Sequence, residues 1–349
     1  MTGHDQGLLT LLACPLCGGE FEERALPRDG HLTCSSCQRV FPVVEGIPRL
    51  LVGEPRATFL AQNWSRLAAP TRERLRPEHS PGRARLTALT SRGYSENWRR
   101  LYQQLWSRPE AAARSEETSR GTLEKFLGGA DLDPAGPTLE VGVGLGRFLR
   151  ILHKRHPGMA LVGIDLSGGV DWVAQVAGPG AASVVQGDIL HSPLRAGTFA
   201  QCLSFGVLHH TPDPEAAFGA CWSALRSGGA LHVWVYGDRL RQRSPSLYKA
   251  SRAVRQAHSR LHPVVLWRLC WLYGAATRAL GPVLNRVVPS FPYRLNRENA
   301  QRFWMDNLVN PYNFVYGPDE LLGWRMEDAA EFRVEPLFGG WVIRARRAG

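Results

Sequence analysis

The run Glu140-Val141-Gly142-Val143-Gly144-Leu145-Gly146-Arg147-Phe148 sets three glycines at alternate positions behind an acid. Glycine there lets the backbone turn sharply and approach a ligand closely, since no Cβ intervenes. The helical segment that follows, Phe148 to Lys154, offers free N–H groups at its start. The spacing excludes two common nucleotide loops. A dinucleotide fingerprint needs its third glycine three places after the second, and a P-loop needs a Gly-Lys-Ser/Thr ending. A second constellation is Cys14, Cys17, Cys34 and Cys37, spaced C-x2-C-x16-C-x2-C. That spacing lies in the range of a zinc ribbon. Four thiolates close a tetrahedral site, so the metal would serve structure or docking rather than chemistry. In a domain of about 50 residues, metal binding supplies much of the folding energy. A redox dithiol or two disulfides are the alternatives, disfavoured in the cytoplasm. Cys202, Cys221 and Cys270 are scattered and read as core.

These loops need a frame. Thr138–Leu139 leads into the glycine loop, and Ala160 to Asp165 is a second apolar strand ending in an acid. Ser183 to Gln186 is a third, followed by Gly187-Asp188-Ile189. Phe199 to Ser204 is a fourth, running into Phe205-Gly206-Val207-Leu208-His209-His210-Thr211-Pro212-Asp213-Pro214. Asp213 before Pro214 reads as an N-cap with proline in the first turn. Leu225 to Gly229 reads as a helix-ending glycine turn before a fifth strand, Ala230 to Tyr236. Strands alternating with helices over 121–237 indicate a parallel α/β sheet. Gly317 to Ala330 reads as a helix, and Arg333–Phe338 and Trp341–Arg346 as a hairpin about Gly339-Gly340.

The E-x-G-x-G-x-G loop and the acids after it, in this order from about Thr138 to Tyr236, resemble the class I S-adenosylmethionine-dependent methyltransferases with a type 11 core. Phe41-Pro42 and Gly46-Ile47-Pro48 after the cysteines resemble Trm112-like zinc ribbons. The resemblance implies an α/β fold: a Rossmann-like seven-stranded sheet with helices on both faces, preceded by a small zinc ribbon and carrying a helical lid insert. It implies S-adenosyl-L-methionine and structural Zn2+ as cofactors. Glu140, Gly142, Gly144 and Gly146 would form the cofactor loop. Asp165 would take the ribose hydroxyls and Asp188 the adenine amine, with Leu166, Ile189 and Phe205 as further cofactor-binding residues. Methyl transfer is an in-line displacement that depends on alignment, with a base needed only if the acceptor must lose a proton. His209 and His210, after strand four, are the candidates for that catalytic role. Asp238, Tyr312 and Asn313 are candidates to touch the acceptor.

The 349 residues carry a net charge of +11, and the stretch 239–297 holds twelve Lys or Arg with no Asp or Glu. Against +12 there, the rest of the chain nets −1, so the positive charge is local and suits an anionic partner. The expected organisation is a ribbon over 1–53, a helical linker or cap over 54–120, a methyltransferase domain over 121–237 and 317–349, and a basic aromatic lid insert over 238–316. In the cap, Tyr94, Trp98, Tyr102 and Trp106 form an aromatic cluster, the last three on one helical face, placed to cap the core or cover the cofactor. In the insert, Leu247, Ala250, Val254, Ala257 and Leu261 form one apolar stripe with Lys249, Arg252 and Arg260 off it. Val264 to Leu284 reads as a packed lid helix, or else as an interfacial membrane helix. No run of about 18 apolar residues indicates a membrane span. Leu8 to Cys14 only faintly resembles a lipoprotein signal, and the location expected is cytoplasmic. The acceptor expected is a small molecule, anionic or amphipathic: a secondary-metabolite, glycan or lipid intermediate. The alternative is an RNA base, although no Asn-Pro-Pro-Tyr or Asp-Pro-Pro-Tyr motif follows strand four. Peripheral membrane contact through 239–297 is a further expectation, and the oligomeric state is open.

Overall fold

A computed structural model describes residues 7–75, 85–106, 108–287 and 297–349. Residues 1–6 of the expected ribbon, 76–84 and 107 of the cap, and 288–296 of the insert lie outside the described residues. Ten strands form one sheet: β1 Gly30–Thr33, β2 Val40–Val44, β3 Ile47–Leu50, β4 Thr138–Val141, β5 Leu161–Asp165, β6 Ser183–Gly187, β7 Phe199–Phe205, β8 Leu225–Tyr236, β9 Ala329–Leu337 and β10 Gly340–Arg347. Their spatial order is β1-β2-β3-β6-β5-β4-β7-β8-β10-β9. The stretch from β6 to β9 is the expected seven-stranded sheet. Its first five strands are parallel and its last two form an antiparallel hairpin.

All four residues of β4 are buried, because helices cover both faces of the parallel region. Alternate residues serve two cores. Cys202, Val233, Val235 and Ile343 face one, with Trp222 of the Pro214–Ala224 helix. Leu203, Trp234 and Val342 face the other, with Phe126, Phe148 and Leu149. Asp213 caps the Pro214–Ala224 helix by accepting from the Ala216 N–H at 3.0 Å.

Some local details differ from expectation or were not foreseen. The helix before β8 ends at Ala224, and Leu225 is already strand. Phe199 pairs with Leu225 but Gln201 with Ala230, so Leu225 to Gly229 forms an irregular strand entry rather than a helix-ending turn. The helix expected over Gly317 to Ala330 is five residues long, Pro318–Leu322. Tyr102–Trp106 winds as a π-helix rather than an α-helix, yet Trp98, Tyr102 and Trp106 still pack on one cluster with Leu101, Leu145 and Val176. Finally, the apolar stripe of the Pro245–His258 helix points outward. Leu247, Ala250, Val254 and Ala257 are exposed, while Tyr248, Ser251, Arg255 and His258 are half-buried. The next helix, Pro263–Val287, packs Leu266, Trp267 and Cys270 on Met305, Leu308 and Val309 of the helix Arg297–Leu308. No described helix is long and apolar enough to cross a membrane.

The cysteine-bearing segment is not a separate bead. Its β3 extends the sheet by pairing in parallel with β6, Arg49 opposite Gln186 and Leu50 opposite Gly187. Arg49, 1% exposed, donates to Asp171 at 2.6 Å and to Gln186 at 3.1 Å. Opposite it, the Ala13 N–H donates to the Pro193 carbonyl at 2.9 Å. Asp171 is 30% exposed, so removing Arg49 costs its charged hydrogen bonds and the packing of a fully buried long side chain rather than a stranded buried charge. Arg49→Ala is therefore expected to cost about 3 kcal/mol in urea unfolding. A loss below about 1 kcal/mol would show that this latch contributes nothing beyond a surface pair.

Candidate active site and metal centre

The loop after β4 is shaped by its glycines. Gly142 and Gly144 have φ of 78° and 53°. A Cβ on Gly142 would fall 2.1 Å from the Val207 side chain, and one on Gly144 would fall 2.9 Å from the Trp98 indole. The Gly142 and Val143 amides donate to the Ile164 carbonyl, at 2.8 and 3.1 Å. Asp165 at the end of β5 completes the brace. One carboxylate oxygen accepts the Gly144 N–H at 2.8 Å, and the other accepts Ser167 N–H at 2.8 Å and Ser167 O–H at 2.6 Å. Burial pushes the Asp165 carboxyl up, and these donors oppose the shift. Glu140 is buried at the loop's head, with Oε2 lacking any hydrogen-bond partner. Burial pushes its carboxyl up to about 8, against the Arg147 guanidinium nearby.

A cleft opens beside this loop, enclosing about 770 Å³ with its open mouth included. Of the predicted site residues, Gly142, Asp165, Leu166, Asp188, Ile189, His210 and Tyr312 line it. Asp188 accepts the Leu190 N–H at 3.0 Å and lies 3.3 Å from His191. Sequence reasoning missed Thr87 and Thr90 as lining residues, and left Tyr94 and Trp98 between core cap and cofactor cover. All four line the cleft from one face of the Arg85–Leu101 helix, at 3- and 4-residue spacing. Their helical periodicity was the available signal. Tyr102 stacks instead on Trp172, with centroids 4.5 Å apart, and Trp106 lies under Arg150. Asn310 was also missed. It donates to the His210 carbonyl at 3.0 Å and accepts the Tyr312 N–H at 2.9 Å, fixing the insert's return against the loop after β7.

The two histidines separate. His210 faces the cleft, with Nδ1 2.9 Å from the Tyr312 carbonyl. A carbonyl only accepts, so Nδ1 carries the proton and Nε2 keeps its lone pair. Burial, with Arg255 nearby, lowers His210 to about 4. His209 does not line the cleft. It is fully buried between His210 and Tyr236, ring centroids 4.1 and 4.0 Å away, with neither ring nitrogen hydrogen-bonded. Burial holds it well below the ordinary histidine value.

Three more candidates lie off the cleft. Phe205 stacks on Trp234 at 4.7 Å and packs against Phe126 and Phe148, because as the last residue of β7 it points into the sheet's core. Asp238 is tied to Arg241 and Gln242, each at 2.9 Å, where β8 ends. Asn313, with its amide oxygen turned to the guanidinium, accepts from Arg255 at 3.1 Å. Arg255 projects from the inner face of the Pro245–His258 helix beside Tyr94, Tyr236 and Tyr248. Its Nε is buried without a partner, and no carboxylate among the described residues pairs with it.

The cysteine sulfurs converge. All four lie within 4.8 Å of one another, and Cys14–Cys37 and Cys17–Cys34 are 3.7 and 3.5 Å apart. A tetrahedron with Zn–S bonds of about 2.3 Å has edges of about 3.8 Å. Each pair sits on a matching turn: Gly18 N–H donates to the Cys14 carbonyl at 2.8 Å, and Gln38 N–H to the Cys34 carbonyl at 2.9 Å. No disulfide joins these cysteines. The donor set fits zinc.

Comparison with known proteins agrees with both centres. The family described as methyltransferase domain matches residues 139–233, and the family described as Trm112p-like protein matches residues 5–46. An uncharacterized protein of Synechococcus is 33% identical over 108 residues, 29% of this chain and 25% of that protein. The chain thus spans about a quarter of that relative's length. UPF0434 proteins of Dechloromonas aromatica and Sodalis glossinidius are 38% and 39% identical over 52 and 64 residues. These segments cover 15% and 18% of this chain, and 86% and 98% of those short proteins. An O-methyltransferase family protein from Burkholderia thailandensis superposes with a TM-score of 0.42 at 12% identity, over 81% of this chain and 77% of that one. A complex containing the Haloferax volcanii Trm112 methyltransferase activator gives 0.34 at 19% identity, over 39% and 63%. Residues 139–233 carry a methyltransferase domain by this match. The chain's N-terminal segment belongs to the Trm112p-like family and is a zinc-binding ribbon.

Cys34→Ser is expected to shed the zinc and lower the thermal midpoint by several degrees; a full equivalent of zinc by metal analysis would contradict the four-sulfur centre. His209→Leu separates a core ring from a base. Removing two unsatisfied buried nitrogens should stabilise the protein by about 1 kcal/mol. The folded-state value of His209 is depressed, so the unfolded chain binds the proton first. The neutral ring's contribution is therefore complete above the unfolded value of 6.5 and is lost as pH falls below it. The variant's advantage should widen below that pH. A constant difference between pH 7 and pH 5 would refute the assignment.

Proposed function

We propose that this methyltransferase acts on an anionic small molecule held between the cleft and Arg255. The observation that carries the reading is the guanidinium itself: turned inward near Tyr94 and His210, which line the glycine-loop cleft, and balanced by a neutral amide rather than a carboxylate. A charge in such a place has a favourable state only when an anion joins it. The cleft has a size typical of small-molecule sites and is roofed on both sides, by the Arg85–Leu101 helix and by Asn310 and Tyr312. A splayed RNA base would need an open, cation-lined approach.

The residues fit the cofactor. Asp188 and the apolar side chains of Ile189 and Leu166 would hold the adenine, and Asp165 Oδ2, which among the described residues accepts only the Gly144 N–H, has one lone pair left for a ribose hydroxyl. Glu140 Oε2, buried and unpartnered, offers an acceptor beneath the loop. S-adenosylmethionine, when bound, supplies a methyl carbon on a sulfonium leaving group. The protein's task is then alignment and exclusion of water. His210 presents its free Nε2 lone pair to the cleft. A ring lowered to about 4 is a weak base, suited to accepting a hydrogen bond from the acceptor's O–H or N–H and orienting it. Asp238, Asn313 and Phe205 act indirectly in this scheme: Asp238 anchors the insert's first turn, Asn313 positions Arg255, and Phe205 supports β7. His209 serves packing. The thiolate-rich ribbon suits the reducing cytoplasm.

The test pairs calorimetry with turnover. Gly144→Val should abolish binding of S-adenosylmethionine. Arg255→Met should keep cofactor affinity but lower kcat/KM at least about tenfold on the active members of a panel of carboxylates and phosphates, with their neutral esters as controls. Equal turnover of acids and esters, or an unaffected Arg255→Met enzyme, would refute the anionic acceptor.

A further inference from the structure

The outer faces of two insert helices combine features that the active site does not use. On Pro245–His258, Leu247, Ala250, Val254 and Ala257 form an exposed apolar row, with Leu247 and Val254 at 45% and 50% exposure. On Pro263–Val287, Val265 and Leu272, seven residues apart, are 48% and 53% exposed on the side away from the packed Leu266 and Cys270. Exposed cations flank both rows: Lys249, Arg252, Arg260, Arg268 and Arg278. From 239 to 297 the chain has no acid to pair with them, and among the described residues the ion pairs of this stretch fall to Arg241, at its edge.

We propose that this face docks on an anionic lipid surface, the apolar rows entering the headgroup boundary and the cations meeting lipid phosphates. Charge complementarity selects the occupant. A second copy meeting the same face would bring two acid-free cationic surfaces together, which repels. A nucleic acid would match the cations but leave the aliphatic rows unburied, since its binders offer aromatic stacking surfaces instead. A lipid interface satisfies both features at once, because Lys and Arg stems lie along apolar surface while their heads reach phosphate. The inner face of the same first helix carries Arg255, so docking would set the acceptor side of the cleft next to the membrane.

Co-sedimentation of the full chain with phosphatidylcholine vesicles and with equimolar phosphatidylcholine/phosphatidylglycerol vesicles tests this without any turnover assay. Binding should appear on the mixed vesicles and weaken with salt. Lys249→Glu with Arg252→Glu should cut the partition coefficient at least about tenfold. Leu247→Ser with Val254→Ser should reduce it too, and these exposed changes should leave the circular dichroism spectrum and cofactor affinity intact. Equal uptake by both vesicle types would overturn the proposal, as would no uptake by either. So would a dimer that the Leu247/Val254 changes dissolve, or binding to an oligoribonucleotide that survives them while vesicles are ignored.

Discussion

The carboxylate of Asp165 is the tie on which the site depends. It gathers the Gly144 amide from the loop after β4 and both donors of Ser167 from the turn after β5, so two chain reversals share one acceptor. The covering helix is then laid on that junction. Ser91 donates to the Leu166 carbonyl at 2.9 Å, and Ser95 accepts the Gly168 N–H at 2.7 Å. Gly169 lies so close to Gly144 and Trp98 that a Cβ would sit 2.8 Å from each. An acid at the end of β5 thus builds the cleft's floor and seats its roof, in addition to any contact with a ligand.

The ribbon solves a different problem. Without it, β6 would be a sheet edge, with unpaired backbone groups next to the strand end that carries Asp188. β3 covers that edge with only two paired positions, so the junction depends on side chains. Arg49, buried and forked between Asp171 and Gln186, joins β3 to both the turn after β5 and β6. Zinc bound at the four sulfurs would thereby steady the sheet edge beside Asp188. Four thiolates on one ion would order the segment, and its β3 backs the strand that leads into Asp188.

Much of this was legible from spacing alone. Alternate glycines, an acid at the end of each of two strands and a paired-cysteine framework each demand a specific local geometry, so the glycine loop after β4 and the four-sulfur cluster followed from them, while the seven-stranded sheet followed from the family resemblance. What remained hidden was tertiary. Phe205 reads as a loop residue facing a ligand, but it is the last residue of β7, and the pleat turns it into the aromatic stack. His209 and His210 are neighbours of one chemical type, and only packing against Tyr236 makes one of them core. Gly228 and Gly229 punctuate a helix end in sequence, yet strand pairing with β7 overrides that local preference.

The Pro245–His258 helix shows the limit of reading burial from periodicity. An apolar stripe tells which residues share a face, not which way that face points. Here the inward face is the polar one, because its neighbours are the tyrosines and histidines around Arg255 rather than an aliphatic core. A helix turned inside out in this manner leaves apolar area in water, at roughly 25 cal/mol per Å². The arrangement is favourable only if the polar face gains more inward than the apolar face loses outward, or if the apolar face is not in water when the protein works. An inward guanidinium without a carboxylate gains little by itself. The first condition therefore requires an anion in the site and the second a non-aqueous surface outside, and an amphipathic acid drawn from a lipid interface meets both.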